Sequence, residues 1–316
     1  MALPRLKLLA TGGTIASRYN PEAGGVMPSM SPESLIASVP GLGAIAHIDV
    51  EQIAMVHGAD MTPDIWLRLA RRAMQVLDEE SVDGVLVTHG TDTLEETAYF
   101  LDLTIANEKP IVITGAQRAA SFFDTDGPRN LLDSARVATT PESRGMGVLV
   151  VMNGQIHAAR EVSKTNTLRV ETFQSPDAGP LGFVDQDGVH FYRKPQFIEH
   201  FPLPATLPKV EIVMHYCGAD GSLIRAFIGK VDGLVIAATG AGNVNPEMHA
   251  AIAEAISVGV KVVIASRVPS GRVTPIYAGA GKGVELERIG CEFADNLSPQ
   301  KARVRLMLNI CGVSLL

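Results

Sequence analysis

The chain has 316 residues, 46% of them hydrophobic and 19% charged, with a formal net charge of −7. That composition carries no sign of disorder, and an acidic balance without any block of lysines or arginines argues against a nucleic-acid or anionic-membrane surface as the main partner. A small molecule is the expected ligand, and the length, set against roughly 100–200 residues per domain, suggests two domains.

Met1 to Lys7 enter the first apolar run without the basic, long apolar and small-residue regions that mark a secretory leader, so a cytoplasmic location is expected. No stretch approaches the roughly 18 apolar residues of a membrane span. The first strand, Leu6 to Ala10, ends at the turn Thr11-Gly12-Gly13-Thr14. Ser17 to Ser31, with Pro21, Gly24, Gly25 and Pro28, then reads as a mobile loop able to close over a ligand. Pro63 to Leu77 has helical periodicity. Val85 to Val87 forms a second short buried strand before Thr88-His89-Gly90-Thr91-Asp92-Thr93, and a helix over Thr93 to Ile105 opens with Glu95 and Glu96, where acidic groups suit the helix dipole. Ile111 to Thr114 precedes Gly115. Four prolines between Tyr192 and Lys209 mark a linker, after which strands at Val210 to Met214 and Leu234 to Ala238 and a helix at Pro246 to Val258 restart the pattern.

This alternation predicts a two-domain α/β protein: a larger N-terminal doubly wound, mostly parallel sheet over 1–191, a linker over 192–209, and a smaller C-terminal α/β domain over 210–316. In such sheets ligands bind beyond the carboxyl ends of the strands. The two threonine-bearing turns follow two of those ends, so they are expected to face one small polar substrate.

Other chemistry finds less support. Cys217, Cys291 and Cys311 are widely spaced and read as structural thiols. The eight histidines show no H-x-x-x-H or H-E-x-x-H pattern, so no metal and no cofactor is expected. Gly12-Gly13-Thr14-Ile15-Ala16 lacks dinucleotide-loop spacing, and Gly279-Ala-Gly-Lys282 lacks the glycine and hydroxyl positions of a phosphate loop. The turn at Thr11 to Thr14 is open to a plain reading, a tight turn whose hydroxyls cap a helix, and Asp92 to another, as cap of the following helix. His89 is open as a base, although successive side chains on a turn diverge. A threonine nucleophile needs a nearby amine or carboxylate to take its proton. Lys164, within Val162-Ser-Lys-Thr-Asn-Thr167, is the candidate amine.

Thr11-Gly-Gly-Thr-Ile-Ala16 and Thr88-His-Gly-Thr-Asp-Thr93 together resemble the two signatures of the bacterial L-asparaginase family, the threonine amidohydrolases of asparagine and often glutamine. The resemblance continues through Glu95 to Asp102, Asp126-Gly-Pro128, Gly147 to Asn153, Lys164-Thr-Asn-Thr167, Ser266-Arg-Val-Pro269 and Pro299 to Arg303, covering nearly the whole chain. It implies a cofactor-free enzyme, a dimer or a tetramer of intimate dimers with sites between partner subunits. Thr14 matches the family's nucleophile. Thr91, Lys164 and Asp92 match its activating triad, with Asp92 also holding the substrate's α-amino group. Asn245, in Gly240-Ala-Gly-Asn-Val-Asn245, is similar to the asparagine contributed by the neighbouring subunit. Departures occur where the family often carries Ser-Gln and this chain has Gly58-Ala59, leaving the backbone of Gly58 to bind the α-carboxylate. The lid tyrosine has no clear counterpart, Tyr19 being the candidate substitute. Two alternatives stand beside an asparaginase. One is the glutaminase-like subunit of a transfer-RNA amidotransferase, although such subunits carry an additional N-terminal domain ahead of the first signature. The other is a weakly catalytic amino-acid-binding or regulatory protein.

Overall fold

Strand β1 (Arg5–Gly12) lies one place in from the edge of the larger sheet, hydrogen-bonded in parallel to the edge strand β4 (His47–Val56) on one side and to β5 (Gly84–Thr88) on the other. The computed structural model describes residues 2–197 and 199–312. It divides into two compact units at the Leu203/Pro204 bond. Between β1 and β4 the first unit carries the hairpin β2 (Ser17–Asn20) and β3 (Gly25–Pro28), then α1 (Pro32–Ala37). After β4 come α2 (Pro63–Leu77), β5, α3 (Leu94–Thr104), β6 (Ile111–Thr114), α4 (Gly127–Thr139), β7 (Val148–Met152) and β8 (Gln155–Ala158). The pair β9 (Ser163–Lys164) and β10 (Phe173–Gln174) and the edge hairpin β11 (Gly182–Val184) and β12 (Val189–Phe191) complete it. The sheet order is β4-β1-β5-β6-β7-β8-β11-β12, parallel through β7 and antiparallel beyond. This is the mostly parallel, doubly wound sheet expected.

Side chains alternate across these strands, so one face carries Leu6, Leu8, Leu86, Val112, Leu149 and Val151 against α1 and α4. The opposite face meets α2 and α3, where Trp66 stacks on Phe100 with ring centroids 5.4 Å apart. The second unit is a four-stranded parallel sheet of β13 (Val210–Met214), β14 (Gly233–Ala238), β15 (Lys261–Ser266) and β16 (Glu292–Phe293). Helices α5 (Ser222–Phe227), α6 (Pro246–Ser257), α7 (Gly283–Arg288) and α8 (Pro299–Cys311) accompany it. Ile224, Met248, Ile252 and Leu286 cover one face in a core of their own, and α8 packs on the strands as well. Helix starts follow local chemistry: Ser31, Thr62, Asn245 and Ser298 each accept a backbone N–H, and each is followed by a proline at the first helical position.

Two sequence expectations change. Ser17 to Ser31, expected as a mobile loop, holds an antiparallel hairpin, with Ser17 paired to Pro28 and Asn20 to Gly25. The prolines and glycines mark its turn and its end, not a lack of structure. Thr93, not Asp92, stands at the N-cap of α3, and it makes no side-chain cap bond, its hydroxyl going to Gly58 instead. Within the expected linker Phe201 is buried, and its N–H donates to the Leu103 carbonyl.

Because the chain runs from β1 outward to β4 and then crosses to β5, the strand order reverses beside β1. The crevice at the carboxyl ends of β1 and β5 is therefore the switch point of the sheet, the place where this architecture opens for ligands. The loops there touch backbone to backbone. A Cβ on Gly13 would lie 2.3 Å from Gly90 N, one on Gly90 2.5 Å from Gly58 N, and one on Gly58 3.0 Å from Asp92 N. Gly13 also has φ of 78°. The Thr11 hydroxyl donates to the Thr88 carbonyl at 2.9 Å, and the Thr93 hydroxyl to the Gly58 carbonyl at 2.7 Å, closing the contact on both sides.

Beneath this contact His89 is wholly buried. The Gly90 carbonyl, 2.7 Å from His89 Nδ1, can only accept, so Nδ1 carries the proton. Nε2 then accepts from Thr97 Oγ1 at 2.8 Å, which in turn accepts from Trp66 Nε1 at 2.7 Å. Burial holds His89 at about 4 against its ordinary 6.5, opposed in part by the Gly90 bond. With both nitrogens committed inside the core, His89 is not a base open to the crevice.

Two outcomes follow. Gly90→Ala should cost about 3 kcal/mol or more in urea unfolding, whereas Gly25→Ala, with open space around its Cβ, should leave the midpoint unchanged; equal stabilities would disprove the backbone contact. The unfolded chain protonates His89 below its ordinary 6.5, and the folded protein resists until about 4, so stability falls as pH drops through this window. The loss should be about 3 kcal/mol and should be absent from His89→Gln; the same slope in both proteins would place the proton elsewhere.

Candidate functional site

At the carboxyl ends of β1 and β5 the backbone contact sets the positions of side chains that are far apart in sequence. Thr14 directly follows Gly13 and opens a single helical turn, Thr14–Ala16, that Ser17 closes by donating its hydroxyl to the Gly13 carbonyl at 2.7 Å. The Thr14 hydroxyl takes part in no side-chain hydrogen bond among the described residues. Thr91 and Asp92 directly follow Gly90 on the neighbouring turn. The Thr91 methyl rests over Gly115, where a Cβ would lie 3.3 Å from it, so the turn after β6 forms the next wall.

Lys164 completes the group from 72 residues beyond Asp92. It sits on the two-residue strand β9, paired with Phe173, whose buried ring anchors β10. Loop 165–172 between them is closed on itself. Thr165 N–H and Oγ1 donate to the Thr172 carbonyl, and the Asn166 carboxamide accepts from the N–H groups of Leu168 and Arg169. From this support Lys164 Nζ donates to Thr91 Oγ1 at 2.9 Å and to Asp92 Oδ1 at 2.7 Å. The lysine side chain is mostly buried, at 16% exposure, while that of Asp92 is 59% exposed. Asp92 thus faces both the lysine and the open crevice. A hydroxyl, an amine and a carboxylate in one hydrogen-bonded row can move a proton, and Asp92 can also receive a ligand's cationic group.

The remaining candidates stand as follows. Gly58 is buried and opens the helical turn Gly58–Asp60 after β4, with its carbonyl held by Thr93; Ala59 beside it is exposed and offers no polar side chain. Tyr19 lies on β2, 54% exposed, its N–H donating to Ser121 Oγ at 3.0 Å. Asn245 caps α6 in the second unit: Oδ1 accepts from Met248 N at 2.8 Å and Nδ2 donates to the Ala219 carbonyl. Cys291 is buried and its thiol pushed up to about 12 by desolvation, which fits a structural role.

One participant escaped the sequence reading. Gln117, just past Gly115, accepts from Thr91 Oγ1 at 2.9 Å and donates through Nε2 to the Thr167 and Arg169 carbonyls. Its signal was positional: β6 ends in a glycine turn at the same sheet edge as the two threonine turns. Asp126 fixes that turn by accepting from the N–H groups of Gln117 and Arg118 and from Asn130 Nδ2.

Among the described residues, Asp185, Asp187 and His190 could converge on a cation, their ligand atoms lying within 4.8 Å of one another. They sit at the exposed β11–β12 turn, on the far edge of the sheet from β5, and nothing else there points to an ion.

Comparison with known proteins identifies the family. The family model described as "Asparaginase, N-terminal" matches residues 5–197, and "Glutaminase/Asparaginase C-terminal domain" matches residues 209–311. The chain is 39% identical over 315 residues to a probable periplasmic L-asparaginase of Haemophilus influenzae, covering 97% of this chain and 88% of that protein. It is 34% identical to a glutaminase-asparaginase of Pseudomonas fluorescens biotype A, over 97% and 86% of the two chains. The crystal structure of a probable cytoplasmic L-asparaginase from Campylobacter jejuni superposes with a TM-score of 0.89 at 37% identity, covering 97% of this chain and 95% of that one. With both family domains matched in order across the two units and relatives aligned nearly end to end, the chain belongs to the asparaginase family.

Proposed function

We propose that this protein hydrolyses the side-chain amide of L-asparagine to L-aspartate and ammonia, with some activity on L-glutamine. The observation that carries the reading is Lys164 Nζ, bonded at once to Thr91 Oγ1 at 2.9 Å and Asp92 Oδ1 at 2.7 Å in the switch-point crevice beside Thr14. The relatives named for L-asparaginase and glutaminase-asparaginase activity support it.

In this mechanism the Thr14 hydroxyl attacks the amide carbon. The Thr91, Lys164 and Asp92 row takes up the proton and returns one to the departing nitrogen, so that ammonia leaves an acyl-enzyme. Water then repeats the attack with the same groups and releases aspartate. Backbone N–H groups of the two glycine turns stabilise the developing oxyanion, a contribution of about 3–4 kcal/mol for a single such donor. Asp92 receives the substrate's α-amino group, and the Gly58 backbone its α-carboxylate. Tyr19, on the hairpin after Thr14, is the candidate lid residue. The same reading takes the protein as a homo-oligomer, a dimer or a tetramer of intimate dimers, with Asn245 offered to a neighbouring subunit's site.

A second reading draws on Gly58-Ala59. Where those two positions supply no polar side chain to a carboxylate, the fold could serve as an amino-acid-binding protein with little turnover.

Ammonia release from L-asparagine and from L-glutamine separates the two. Wild type should turn over asparagine, Thr14→Ala should lose on the order of a thousandfold or more in kcat, and Lys164→Met about a hundred- to ten-thousandfold, each with an unchanged circular dichroism spectrum. Full turnover by folded Thr14→Ala would remove it as nucleophile. Tight aspartate binding by a wild type that hydrolyses neither amide would favour the binding protein.

A further inference from the structure

The Gln117 carboxamide can point only one way. Its Nε2 end lies 3.4 Å from the Thr167 carbonyl and 3.2 Å from that of Arg169. Carbonyls accept and never donate, so that end is the nitrogen and the end 2.9 Å from Thr91 Oγ1 is the oxygen. A carboxamide oxygen only accepts, which obliges the Thr91 hydroxyl to donate its single proton to Gln117. The Thr91 oxygen is left with its lone pairs toward Lys164 Nζ, 2.9 Å away, which donates to it. The row therefore has a direction, from Lys164 through Thr91 to Gln117.

Position 117 also joins two loops. The side chain spans from Thr91, after β5, to the carbonyls of the 165–172 loop that carries Lys164. Its own backbone is held independently, by the Gln117 N–H bond to the Asp126 carboxylate at 3.1 Å. A change of side chain at 117 thus alters the row while leaving the turn anchored.

We infer that Gln117 is a positioning residue that sets the polarity of the Thr91–Lys164 pair and ties the lysine loop to the threonine turn. The inference rests on the proposed roles of Thr91 and Lys164. With its own proton held by Gln117, Thr91 keeps a lone pair toward Lys164 Nζ, and the Thr91–Lys164 contact is thereby held in one direction. Without the acceptor at 117 the hydroxyl is free to turn, and the lysine loop loses its tie.

The test is steady-state kinetics on asparagine across pH for wild type, Gln117→Met and Gln117→Glu, with thermal melts alongside. Gln117→Met keeps the length and removes both hydrogen-bonding ends; kcat should fall on the order of ten- to a hundredfold while KM changes little. Gln117→Glu keeps an acceptor facing Thr91 and adds a negative charge beside the row, so it should recover part of kcat and move the lysine-dependent limb of the kcat/KM profile to higher pH. Wild-type kcat in folded Gln117→Met would overturn the inference, and if that variant fails to fold, an unmoved limb in Gln117→Glu would overturn it instead. A wild type inactive on both amides would refute the functional reading. The Lys164 titration, followed by NMR of isotope-labelled lysine side chains, then decides for Gln117: a shift to higher pH in Gln117→Glu supports the contact, and an unmoved titration refutes it.

Discussion

Contact between backbones, with no side chain between them, governs the geometry of this protein's crevice. Gly13, Gly58 and Gly90 belong to loops after three different strands; a Cβ on Gly13 or Gly90 would collide with the main chain of another loop, and one on Gly58 would be tight against it. Glycine adds conformational entropy to the unfolded chain that a larger residue would reduce, yet at Gly13 and Gly90 no larger residue fits without the backbone moving. The gain is that Thr14 and Thr91, each one residue past a contacting glycine, are placed by the rigid sheet and need no flexible side chain to position them. Hydrogen bonds from Thr11 to Thr88 and from Thr93 to Gly58 reinforce the same joint.

Around that joint, polar groups are arranged so that each has one role. His89 spends both ring nitrogens inside the core, on Gly90 and Thr97, and burial keeps it neutral well below physiological pH. It supports the Gly90 turn from beneath and leaves proton transfer to other groups. Lys164, Thr91 and Gln117 form a directed row because a carboxamide fixed by two carbonyls has no freedom to reverse. Asp126 and Asn130 do the corresponding work for the Gly115 turn: the Asn130 amide donates both to the Gly115 carbonyl and to Asp126. Low dielectric strengthens such networks and penalises any unpaired member, which explains why so many short polar side chains here have defined partners.

Of the two departures from the family pattern at 58 and 59, one falls within this joint and the other beside it. Gly58 is constrained by its neighbours' backbones, whereas Ala59 is exposed. Tyr19 stands in a similar position, on a hairpin whose exposed residues leave the sheet unaffected.

Much of the architecture was legible from local pattern. The Pro63–Leu77 helix has a Thr-Pro start and a regular apolar stripe, and the strands ending at Thr88, Thr114 and Ala238 are short, wholly apolar runs before turns. β4 was not seen, because as an edge strand it is only half buried and its sequence mixes apolar with charged residues. The Ser17–Ser31 hairpin was hidden for a related reason: two four-residue strands leave too short a pattern to tell from a loop. By itself the sequence determined which residue types stand at the strand ends, through apolar runs that must be buried and glycines that permit tight turns, and with them the family resemblance. The resemblance implied that Lys164 belongs with Thr91, but only the tertiary structure decided how the two meet and that Gln117 joins them. They come from turns and strands separated by many residues, and no local periodicity encodes a contact made by the sheet's crossovers bringing distant strand ends to one edge.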